Sequence, residues 1–107
     1  MDIVVLATPD GDLVGWEEQF GQREGRFVLA DDGSVAYRHP ADHRAWPAGS
    51  LDQFRQAAEV WGRYNAATKA EQLAAVERLH AELRAAGVLE PGGLWSVLAE
   101  QAAAGLL

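Results

Sequence analysis

The sequence predicts an α+β domain: a small antiparallel sheet of two hairpins in the N-terminal half, packed against three C-terminal α-helices. Three observations predict it. Short apolar, β-branched runs alternate with turn residues up to Arg38, which is how strands joined by hairpins read. From Leu51 onward, apolar residues recur every three or four positions, the helical period. Between the two regimes, Pro47 and Gly49 interrupt the chain, and Ser50 with Gln53 forms a capping box that starts a helix sharply.

Taken in order, Ile3–Ala7 is a compact apolar run and reads as a buried strand. Thr8-Pro9-Asp10-Gly11-Asp12 is turn chemistry, with Pro fixing one dihedral and Gly accepting a positive one. Leu13–Trp16 returns as the second strand, and Glu17–Gly25 reads as a loop or a bent strand end. Arg26–Ala30 and Val35–Arg38 make the second hairpin, because Asp31-Asp32-Gly33-Ser34 between them suits a turn matched to strand twist.

Residues 39–49 read as a connection laid across the domain, since Trp46 is unfavourable in water. On the first helix Leu51, Phe54, Ala58 and Trp61 share one face, flanked by Val60 and Tyr64. Asn65–Ala67 is the break, and Thr68 with Glu71 forms a second capping box. Leu73, Val76, Leu79, Leu83 and Ala86 stripe the second helix, which Gly87 closes with Val88 and Leu89 folding back. After the Glu90–Gly93 turn, Leu94, Trp95, Val97, Leu98 and Ala102 give a shorter third helix, fraying toward Leu107.

A chain of 107 residues, 49% hydrophobic, supports one domain with one modest core. It divides into hairpins at 1–38, the connection at 39–49 and helices at 50–107. No cysteine occurs, which rules out disulfides and thiolate metal sites and fits a reducing cytoplasm. The Ile3–Ala7 run is too short for a signal peptide or a membrane span, so no membrane role is expected. A net charge of −7 argues against nucleic acid, which needs clustered Lys and Arg; it fits either a merely solvated surface or one that steers a basic protein into place.

Catalytic patterns are absent from the sequence. His39 and His43 have the spacing of a helical metal pair, but Pro40 lies between them and no third ligand follows, so no metal or cofactor is expected. His80 reads as structural, between Glu77 and Arg84. Asp10, Asp12, Asp31 and Asp32 fall short of a calcium loop and serve turns. Glu17 and Glu18 are adjacent, so on a strand they point to opposite faces and do not form a carboxylate pair. Ser34, Ser50 and Ser96 sit outside any nucleophile elbow, and no phosphate-binding glycine loop occurs.

Four tryptophans divide by context: Trp61 and Trp95 lie on apolar helical faces and read as core, whereas Trp16 and Trp46 are candidates for an exposed contact surface. The segment Ala48-Gly49-Ser50-Leu51-Asp52-Gln53-Phe54, preceded by the Asp32-Gly33-Ser34 hairpin, resembles the C-terminal portion of the SUKH-4 immunity proteins of the SMI1/KNR4 superfamily. Trp61 and Tyr64 match that family's aromatic helix tail. Val88-Leu89-Glu90-Pro91 followed by Leu94–Glu100 matches its closing element, with Glu90 where Asp is usual. The likeness covers about residues 26–101; the family's N-terminal helices and strands lie outside it.

The resemblance implies a non-catalytic, cytoplasmic antidote that binds and blocks a toxin encoded beside it, often a nuclease or deaminase. It carries over no catalytic residues. The expected docking surface is acidic and aromatic: Trp16, Glu17, Glu18, Asp31, Asp32 and Trp46, facing a basic toxin domain. The alternatives are a small accessory or scaffold protein, homodimeric through its sheet edge or helices, and a small-molecule binder or enzyme with a pocket between sheet and helices.

Overall fold

The computed structural model describes residues 1–105. Five strands, β1 (Asp2–Asp10), β2 (Leu13–Gln19), β3 (Gln22–Leu29), β4 (Ser34–Arg38) and β5 (Trp46–Ser50), precede four helices, α1 (Leu51–Ala66), α2 (Lys69–Ala74), α3 (Val76–Ala85) and α4 (Leu94–Ala103). The strands form one antiparallel meander in the order β1-β2-β3-β4-β5. The α+β class therefore stands, with more elements than the sequence pattern resolves. The expected fraying at Leu106 and Leu107 lies outside the described residues.

Three differences have local causes. Thr8, Pro9 and Asp10 extend β1 past a register shift rather than turning, so only Gly11 and Asp12 separate β1 from β2. Of the two readings of Glu17–Gly25, the strand one holds and the loop one does not: β2 and β3 run on to Gln19 and from Gln22, joined by Phe20-Gly21. The connection contains a strand, β5, which pairs only with β4. Its Pro47 and Gly49 are tolerable there because an edge strand has one side without ladder partners.

All four helices lie on one side of the sheet. The core joins Val14, Phe27, Val35, Tyr37 and Ala48 from the inner face to Phe54, Trp61, Leu83 and Trp95 from the helices. Phe27 stacks at 4.6 Å from Phe54 and 5.2 Å from Tyr37, within the favourable range for tilted rings. The indoles are satisfied as well as buried: Trp61 Nε1 donates to the Met1 carbonyl at 2.9 Å and Trp95 Nε1 to the Ala48 carbonyl at 3.2 Å. Trp61 and Trp95 are thus core, as their helical positions imply.

Both capping boxes form, Ser50 with Gln53 on α1 and Thr68 with Glu71 on α2. The helix begun at Thr68 breaks at Ala75 into α2 and α3. Leu73 is consequently 62% exposed, and α2 buries no side chain; its apolar spacing does not survive the break. After α3, Val88 N–H reaches the Leu83 carbonyl and Gly87 N–H the Arg84 carbonyl, the two bonds of a Schellman cap, with Val88 buried.

Candidate functional site

Because the helices occupy one face of the sheet, the register decides what the other face presents. Directly opposed residues share a face. Phe27, Tyr37 and Gly15 face the helices, so the neighbouring rank Val4, Trp16, Arg26 and Arg38 crosses β1 to β4 on the outer face. A second outer rank, Leu13, Val28, Ala36 and Pro47, crosses β2 to β5. Of these, Leu13, Trp16, Arg26, Val28 and Arg38 floor an open groove of about 630 Å³, bordered by Arg23, Glu24, His39 and Asp42.

Electrostatics within the groove are uneven. The Arg23 guanidinium lies 3.6 Å from the centre of the Trp16 ring, a cation–π contact, and Trp16 Nε1 donates to Glu18 at 2.9 Å. Glu24 faces His39 at 3.8 Å. Arg26 and Arg38 oppose each other across β3 and β4, and among the described residues no carboxylate lies within 4.0 Å of either guanidinium.

The six residues expected to form one acidic, aromatic surface are dispersed. Trp16 and Glu18 are on the outer face and half-buried. Glu17 points inward, is 5% exposed, accepts the Tyr37 hydroxyl and takes Gln19 Nε2 at 3.1 Å; no partner reaches it. Asp31 and Asp32 lie on the β3–β4 turn. There the Ser34 hydroxyl, then its N–H, hold the Asp32 carboxyl below its ordinary pKa.

Trp46 packs against the core on the helix side of the sheet, opposite to Trp16. Its indole donates to Asp42 at 2.9 Å and its ring lies 4.0 Å from the Arg44 guanidinium. The Trp46 indole, then the Arg44 N–H, lower the Asp42 pKa. The acidic surface is therefore not assembled, because side-chain parity and turn capping draw its members to separate places.

Sequence reasoning missed four residues of the outer face. Arg23, Arg26 and Arg38 come from three positions on two strands, and only strand register gathers them. Phe20 is fully exposed at the β2–β3 tip with φ 52°, followed by Gly21 at φ 77°. Two successive positive φ angles mark a type I′ turn, which favours Asn-Gly; a phenylalanine there is both strained and solvated. The one sequence signal for that turn was Gly21 between the glutamines Gln19 and Gln22.

Other chemistry is sparse. His39 Nδ1 accepts the Ala41 N–H at 3.0 Å, His43 is exposed, and His80 Nδ1 lies 2.9 Å from the Val76 carbonyl within its own helix. Among the described residues there is no group of three His, Asp or Glu placed to hold a metal ion, and no helix long and apolar enough to cross a membrane. No family model, no curated protein and no solved structure matches this chain.

Proposed function

We propose that this chain is a non-catalytic protein-binding module of the immunity type, acting in the cytoplasm by docking a toxin domain and blocking it. One observation carries the reading: the helices cover a single face of the sheet, leaving Trp16, Leu13 and Val28 on an open, arginine-bordered face. A half-buried Trp amid apolar and Arg side chains is the composition of an interface hot spot. The resemblance to SUKH-4 proteins supplies the partner class. The fully exposed Phe20, beside this face, supplies a second apolar anchor.

The test is co-expression of the tagged chain with the product of the neighbouring gene, followed by size-exclusion chromatography. A stable complex that is lost in Trp16→Ala supports the proposal. Absence of any complex, or one indifferent to Trp16, overturns it. A homodimeric accessory protein is the second reading, favoured by β1, an edge strand that carries the apolar Ile3–Ala7 run. It ranks lower because Asp2 and Asp10 bracket that run and oppose like charge to like in an antiparallel self-pairing.

A further inference from the structure

We infer that the outer-face groove is a receptor for a carboxylate on an acidic segment of the partner, held between Arg26 and Arg38 with an apolar neighbour lying over Leu13 and Val28, beside Trp16. This deepens the binding-module reading and rests on it for the class of partner. Like charges directly opposed on adjacent strands repel. Arg26 and Arg38 hold that arrangement with no carboxylate in reach among the described residues. Their Cβ atoms are about 5 Å apart by strand geometry, so both guanidinium forks can close on one anion. An anion there converts a repulsive pair into charge-assisted hydrogen bonds.

The surroundings narrow the ligand. Trp16 adjoins Arg26 in the same rank, and the next rank, Leu13–Val28–Ala36, is apolar. A free inorganic anion leaves that strip uncovered, whereas an acidic residue with an apolar neighbour covers both. Asp12, Glu24 and Asp42 border the groove and confine the positive region to one small spot. A phosphate backbone needs a run of cations, and a doubly charged phosphate ester meets those three carboxylates more unfavourably than a singly charged carboxylate does. The observations therefore favour a peptide carboxylate over a nucleic acid.

The experiment is an NMR titration of the full ¹⁵N-labelled chain, read at the Trp16 indole Nε1–H, which is assigned by its loss in Trp16→Phe. The probes are a blocked tetrapeptide alternating glutamate and leucine, the same peptide with glutamine for glutamate, and phenyl phosphate. The inference expects saturable binding of the acidic peptide, at least tenfold weaker binding of the glutamine peptide, and at least tenfold weakening by Arg38→Ala. Arg84→Ala, with the same change in net charge at an exposed site on α3, leaves the affinity unchanged. Equal binding of the two peptides, tighter binding of phenyl phosphate, no saturable shift, or equal weakening by both variants each overturns it. If the toxin complex forms equally with wild type and Arg38→Ala, the groove assignment fails and the module reading survives. Peptide binding without any toxin complex has the opposite meaning.

Discussion

Trp16 lies on the outer face of β2, whereas Glu17, expected on the same docking surface, points into the core. The cause lies on β3 and β4. At Gly25 a Cβ atom would sit 2.3 Å from the Tyr37 ring, so the missing side chain lets that ring lie against the strand. Its hydroxyl then meets Glu17, and a buried carboxyl with good hydrogen bonds is tolerable where a lone one is not. Removing the hydroxyl in Tyr37→Phe leaves a Glu17 oxygen without its donor and costs about 1–3 kcal/mol in urea unfolding. Burial, then the hydrogen bond to Glu17, raise the Tyr37 pKa above its ordinary value. A raised folded pKa means that this stability is fully present below about pH 10, the unfolded value, and is lost as pH climbs toward the folded one. The urea midpoint above about pH 10 accordingly falls more steeply in wild type than in Tyr37→Phe.

Individual elements differ in how tightly they are held. The left-handed conformation of Phe20 costs an L-residue roughly 1–2 kcal/mol, and the exposed ring returns nothing in the free protein. Phe20→Asn gives the turn its preferred Asn-Gly pair, so thermal melting shifts upward by an amount worth about 1 kcal/mol; an unchanged or lower Tm contradicts the strain. The two capping boxes look alike but act on unlike helices. Ser50 starts α1, which buries Phe54, Trp61 and Tyr64, whereas Thr68 starts α2, which buries nothing. Ser50→Ala therefore lowers global stability by about 1 kcal/mol. Thr68→Ala leaves the urea midpoint nearly unchanged and instead speeds amide exchange within residues 69–74, the signature of local opening.

At the level of the whole molecule, the net charge of −7 does not describe the outer face of the sheet. Carboxylates are spread over turns and helices, several with their own donors; Glu82, for one, is held below its ordinary pKa by Arg78 and Arg63. The outer face concentrates arginines, two of them directly opposed. Arg38→Thr should thus raise the Tm of the free protein in low salt, and the gain should vanish in 1 M salt, where the Debye length is about 3 Å. A gain that is independent of salt points instead to strand propensity.

The α+β class, the helix starts at Ser50 and Thr68, the stop at Gly87 and the burial of Trp61 and Trp95 were legible in the chain, because caps and 3.6-residue stripes are local chemistry. β5 was not, since Trp46–Ser50 holds Pro47 and Gly49 and is a strand by its pairing with β4. Nor was the candidate site. Which of Trp16 and Glu17 faces outward, and whether Arg26 meets Arg38, depend on the register of neighbouring strands, which bulges on β2 shift and where a one-residue slip exchanges the faces. The amino-acid order determined which elements exist; only their pairing in space decided which side chains stand together.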